Sequence, residues 1–138
     1  MSRSGYIDDY DDPRDLAMWR GRVASAIRGK RGQAFLRSLI EALDAMPERR
    51  LIAHDLQDAD GAVCAIGSVG AQRGVEMSKL DPEDHETLAG MFDIAAPMVR
   101  EIEWLNDEAG EWKETPEERW TRMRTWAEKM LKRPTSAA

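Results

Sequence analysis

Cys64, His54 and His85 are the thiol and imidazoles of this sequence, the side chains with the chemistry of nucleophile, base or metal ligand. The two histidines lie about thirty residues apart, and no nucleophile motif surrounds either. Cys64 falls in the weakly polar run "GAVCAIGSVGA" (61–71), a setting that predicts a buried, inert thiol. "HDLQDADG" (54–61) has the outline of a calcium loop, with Asp58 and Asp60 ahead of Gly61. In that register Leu56 takes the first ligand position and Gly67 the closing one, and neither offers a side-chain oxygen. The stretch reads as a turn. Carboxylates abound, but a hydrophobic setting singles out no pair of them. The sequence therefore predicts no catalytic residue, no metal site and no cofactor. An enzyme would need a cleft joining His54, His85 or Cys64 to carboxylates.

Recognition is the second chemistry to weigh. "LAGMFDIAAPMVREIEWLND" (88–107) places Leu88, Ala89, Phe92, Ile94, Val99 and Ile102 where a helix-turn-helix needs apolar residues, and that resemblance covers 88–102. Asp93 stands where the motif usually has glycine in the left-handed region, which aspartate tolerates better than most residues. The whole unit is expected at 82–109. DNA reading through it conflicts with its charge, because protein–DNA affinity rests on cations that neutralise phosphate. Arg100 is the one good base reader on the second helix, and Glu101, Glu103, Asp107 and Glu108 surround it. Those acids are expected on a solvated, protein-facing surface. Trp104 and Trp112 flank "LNDEAGE" there as contact anchors.

The better anion site is the basic stretch 14–37. Residues 14–37 hold seven basic side chains against Asp15, whereas 81–118 hold thirteen acids against Arg100 and Lys113. Arg28, Lys30 and Arg31 are expected in a glycine loop that leads into a helix N-terminus, with Arg22 and Arg37 nearby. "GKRG" is no P-loop, since the spaced glycine and the Lys-Ser/Thr pair are missing.

The elements that must position these residues read as helices. Asp12 caps a first helix with Pro13 at its first position and a stripe of Leu16, Trp19, Val23 and Ile27. A second helix over 33–46 carries Phe35, Leu36, Leu39, Ile40, Leu43 and Met46, and Pro47 closes it. Residues 51–67 can form a short β-hairpin, and "GAVCAIGSVGAQRG" (61–74) is read in preference as a helix. Asp81 is expected to cap a further helix with Pro82 in its first turn. Thr115, Pro116 and Glu118 open the last helix with a capping box, and Trp120, Met123, Ala127, Met130 and Leu131 form its buried stripe with Trp126 at the edge. The expected fold is mostly α, a compact bundle of five to six helices. An acidic N-terminal arm at 1–12 precedes a single helical domain at 13–133, and 134–138 form a frayed tail.

At 138 residues, 42% apolar and 33% charged, the chain suits one soluble globular domain. A single cysteine excludes an internal disulfide framework and favours a reducing, cytoplasmic setting. The acidic start "SGYIDDYDDP" is unlike a secretion signal, and no apolar run is long enough to span a bilayer.

"MWRGRVASAIRGKRGQAFLRSLIEALDAMPERRLIA" with "GAVCAIGSVGAQRG" and "WLNDE" resembles a family of small proteins carried by phages and prophages of Gram-negative bacteria. That resemblance implies a genomic context and no activity, and transfers no functional residue; small phage accessory proteins commonly regulate transcription or disable host systems, CRISPR defences included. The expectation is a non-enzymatic protein that binds a host protein or nucleoprotein stoichiometrically in the host cytoplasm. The alternative is a helix-turn-helix-like nucleic-acid-binding regulator that uses the basic 14–37 segment.

Overall fold

A computed structural model describes residues 2–6 and 12–132. Six helices follow one another: α1 (Pro13–Arg28), α2 (Lys30–Ala45), α3 (Ala65–Gln72), α4 (His85–Phe92), α5 (Ala96–Asp107) and α6 (Pro116–Met130), with a 3-10 turn at Met77–Lys79. Helix α2 packs on α3 and α6, and α5 lies against α1, α3, α4 and α6, so α5 is the central helix of the bundle.

Local chemistry explains the boundaries. The Asp12 carboxylate accepts the Arg14 N–H, and Pro13 follows it where a missing N–H costs nothing. Trp19, Val23 and Ile27 turn inward, but Leu16, one turn from the open end, remains 44% exposed. Helix α2 begins at Lys30, three residues ahead of the expected start, because Gly29 alone makes the corner. Gly32 lies inside its first turn, and a Cβ there would stand 2.0 Å from the Ala26 carbonyl, so the two helices meet backbone to backbone. Gln33 is buried behind it, and its amide donates to the Ile27 and Met130 carbonyls and accepts from Lys132 N–H. One side chain thus ties together the ends of α1 and α6. The capping box of α6 forms as its sequence predicts, and Trp120 Nε1 donates to the Leu43 carbonyl.

The middle segment combines the two alternatives. Gln57 and Val63 form an isolated antiparallel bridge around a turn in which Asp58 accepts from Asp60 and Ala62 N–H, and α3 starts only at Ala65. No strand forms among the described residues. Its small residues allow close contact: a Cβ on Gly67 would stand 2.0 Å from the Leu56 carbonyl.

Helix α4 starts later than expected. Asp84, not Asp81, is its cap, because the Asp84 carboxylate takes both the Thr87 N–H and its hydroxyl, while Asp81 only accepts from Glu83 N–H in the preceding turn. After Phe92, Asp93 adopts the left-handed conformation (φ 53°, ψ 50°), and α5 follows with Ala95 as N-cap and Pro97 in its first turn. Leu88, Ala89, Phe92, Ile94, Val99 and Ile102 are all buried, as the spacing predicts.

Residues 2–6 are not a free acidic arm. Arg3 and Ser4 are buried against the bundle. The rest of the expected arm at 7–11 and the expected frayed tail at 134–138 lie outside the described residues.

Candidate functional site

Helix α5 is packed on nearly every side, so its acids have few ways to reach solvent. Glu101 is 4% exposed and Glu103 0%, and the Asp107 side chain is 3% exposed. These three belong to the interior, and the expected acidic docking surface on this helix does not exist in the isolated chain. What makes such burial tolerable is a set of cations delivered from elsewhere, since an unpaired buried charge is strongly destabilising.

Residues 2–6 supply the first. Arg3 Nε donates to Asp107 Oδ2 at 2.6 Å and Nη2 to Asp107 Oδ1 at 2.9 Å, the two-pronged geometry that a guanidinium makes with a carboxylate. Its Nη1 lies 3.6 Å from Glu103 Oε2 and 3.7 Å from Cys64 Sγ. Burial works against the Arg3 charge, and Cys64, Asp107 and Glu103 together outweigh it and raise its pKa above the ordinary arginine value. His85, the first residue of α4, lies with Nε2 2.9 Å from Glu103 Oε1. That nitrogen donates to the Arg3 carbonyl at 2.8 Å, so neither Glu103 oxygen receives a well-directed hydrogen bond. Burial pushes the Glu103 carboxyl up, against the pull of His85 and Arg3. Burial would lower the His85 pKa, and Glu103 outweighs it and raises it. The two side chains form one coupled pair.

The remaining contacts of the segment are as well matched. Ser2 Oγ and Ser4 Oγ both donate to Glu108 Oε2, and Arg100 Nε donates to the Ser4 carbonyl at 2.7 Å. The Tyr6 hydroxyl donates to Glu101 at 2.9 Å, and the same carboxylate receives two hydrogen bonds from Arg20, at 2.6 and 2.9 Å. The Tyr6 ring stacks on Trp104 and meets Trp19 edge-on. Arg100 lies over both Trp19 and Tyr6. It is therefore engaged inside this cluster, not presented as a base reader, and Trp104 is half-buried against Tyr6, not offered to a partner.

The structure brings His85 and His54 to carboxylates and Cys64 to Arg3. His54 N–H donates to Asp107 Oδ1 at 3.0 Å while its ring stays 70% exposed. Cys64 is fully buried at the N-cap of α3, where Sγ accepts from Gly67 N–H. Burial pushes its thiol pKa up despite Arg3, the opposite of what a nucleophile requires. The Arg3 guanidinium lies between Cys64, Glu103 and Asp107. Among the described residues no three of His, Cys, Asp and Glu are placed to hold a metal ion.

The basic side chains have a different situation. Arg22, Arg28, Lys30, Arg31 and Arg37 are all exposed on α1 and α2. Arg28, Lys30 and Arg31 stand on helix ends around Gly29, not in the open glycine loop expected from the sequence. Arg31 meets Asp93 of the α4–α5 turn at 3.3 Å, an ion pair open to water and so of little energetic weight. Beside them a shallow groove runs between α1 and the start of α5, lined by Met18, Gly21, Arg22, Ala26, Ala95 and Pro97. Met18 is 58% exposed. At the opposite end of the acidic segment, Trp112 is 89% exposed with Lys113 Nζ 5.1 Å from its ring, and Glu108 is engaged by Ser2 and Ser4.

The sequence contains no local signal for Arg3, Tyr6 or Arg20 as members of one cluster with α5, since they are 104, 95 and 81 residues from their carboxylate partners. No protein-family model, no curated protein and no solved structure matches the chain. No helix among the described residues is long and apolar enough to cross a membrane.

Proposed function

We propose that the protein acts by stoichiometric contact and not by catalysis, as a phage or prophage accessory protein whose partner is a host protein or nucleoprotein in the cytoplasm. The α1 face carries this reading. Exposed Met18 and the groove against Ala95 and Pro97 supply apolar contact, and Arg22 stands at their rim. Arg14, Arg22, Arg28, Lys30 and Arg37 make no ion pair with the described residues, so their charge is available to steer and orient an acidic partner surface. This replaces the acidic α5 face as the docking surface. A role in disabling a host defence fits such a mode of action.

The test is capture from the natural host after nuclease treatment, with wild type against a Met18→Asp/Arg22→Glu double variant. Loss of a nuclease-resistant partner in the double variant, with unchanged circular dichroism, supports the assignment. Equal capture by both proteins rejects it.

A nucleic-acid-binding regulator is the second reading, favoured by the same exposed cations, with Arg22, Arg28, Lys30, Arg31 and Arg37 on phosphates. Its mark is a mobility shift that weakens steeply with salt and disappears when Arg28, Lys30 and Arg31 become alanine. Capture that nuclease abolishes would favour this reading over the first.

A further inference from the structure

We infer that residues 2–6 occupy a peptide-recognition site built on α5, and that this site accepts an arginine-bearing peptide segment supplied by another molecule in their place. The backbone–backbone hydrogen bond of residues 2–6 is internal, Gly5 N–H to the Ser2 carbonyl. Among the described residues, the hydrogen bonds that fasten this segment to the bundle each have a side chain on at least one side, those of His85 and Arg100 to its own carbonyls included, as for a docked peptide rather than a strand or helix of the fold.

Ser2, Arg3, Ser4 and Tyr6 are each met by side chains of the bundle. Asp107 takes the guanidinium edge, and Glu103 and Cys64 face its third nitrogen. His85 and Arg100 take the carbonyls of the arginine and the residue after it. Glu108 takes the hydroxyls on either side of the arginine. Trp19 and Trp104 hold the aromatic ring three residues on, and Glu101 takes its hydroxyl. The pattern recognised is therefore Ser-Arg-Ser-Gly-Tyr, with arginine as the anchor.

The receiving half also points to a cationic ligand. Glu103 is wholly buried, and neither of its oxygens receives a well-directed hydrogen bond. Asp107, one helical turn along the same face, is nearly as buried. Asp107 takes a guanidinium edge-on through both of its oxygens, a two-pronged contact that lysine, with a compact ammonium, cannot reproduce. A tethered ligand competes with any peptide in solution through its high effective concentration, so wild type should resist the trans peptide.

The experiment titrates the full-length Arg3→Ala variant with capped Ser-Arg-Ser-Gly-Tyr and follows tryptophan fluorescence. Saturable binding is expected, roughly tenfold or more tighter than for the peptide with citrulline at the arginine. Wild type should bind roughly tenfold or more weakly by comparison, because Arg3 already fills the site. Asp107→Asn in the Arg3→Ala background should remove the preference for arginine over citrulline. If Arg3→Ala does not fold by itself, the readout becomes recovery of native circular dichroism on dilution from urea, expected with the arginine peptide and not with the citrulline one. Equal affinity for the two peptides overturns the inference. Binding to wild type as tight as to the variant, or failure of the peptide either to bind or to restore folding, does the same.

Discussion

Glu101, Glu103 and Asp107 on α5 are nearly or wholly shut off from water, while Arg14, Arg22 and Arg28 on the adjoining α1 stand in solvent. Both helices are strongly charged, and position in the bundle decides how each charge is used. Helix α5 touches four other helices, so its carboxylates must find cations inside the protein, and Arg3, Arg20 and His85 are brought to them. Helix α1 buries only Trp19, Val23 and Ile27 along one stripe; Arg20 reaches Glu101, whereas Arg14, Arg22 and Arg28 pair with no acid among the described residues. Charge on the central helix works as structure, and charge on the outer one remains available for contact.

The largest effect that could break this contrast is the loss of Arg3. Arg3→Ala leaves Asp107 and Glu103 buried without their guanidinium, and removal of one partner from a buried pair costs roughly 3–5 kcal/mol. Urea unfolding should show that loss, and a cost below about 1 kcal/mol would mean that the α5 acids reach water in solution.

A smaller effect follows pH. The raised His85 pKa means that its contribution is complete below the unfolded value near 6.5 and disappears as pH rises through its higher folded value. Glu103, raised from 4.5 by burial, also holds its proton more tightly in the fold, so its contribution likewise falls as pH rises. Arg3 on one side and Arg100 on the other face the pair throughout this range. The urea midpoint should therefore fall as pH rises above about 6.5, and His85→Gln should flatten that part of the profile. A wild-type profile already flat there would show that Glu103 does not stabilise a charged His85.

Away from both regions, Thr115→Ala removes the α6 cap and should cost about 1 kcal/mol by the same unfolding measurement. The smallest effect belongs to α1: Arg22→Ala and Arg28→Ala should leave the urea midpoint in place while weakening partner capture. A clear drop in their stability would show that the outer cations are structural too.

Much of the fold was legible because its determinants are local. Asp12–Pro13 and Thr115–Pro116–Glu118 mark helix starts within four residues, and the stripe from Phe35 to Leu43 states its own period. "DPED" defeated the same logic by offering two capping aspartates, and Thr87, three residues beyond Asp84, decided for Asp84. The Gln57–Val63 bridge and α3 share a stretch that one period could not describe. The candidate site was illegible for a different reason. A run of acids looks solvated until the topology sets its helix in the middle of the bundle, and nothing near Glu103 in sequence announces Arg3. Arg14 and Arg22 lie off the stripe of Trp19, Val23 and Ile27 and so stand in solvent, whereas Arg28, Lys30 and Arg31 fall on helix ends where the sequence suggests a glycine loop.

Residue-resolved carboxyl labelling of the native full-length protein, with carbodiimide and an amine followed by mass spectrometry, tests the central contrast most directly. Glu101, Glu103 and Asp107 should remain protected while Glu76, Asp84 and Glu117 are modified, and urea should erase the difference. Modification of Glu103 and Asp107 in the native protein at the rate of Glu117 would contradict the account.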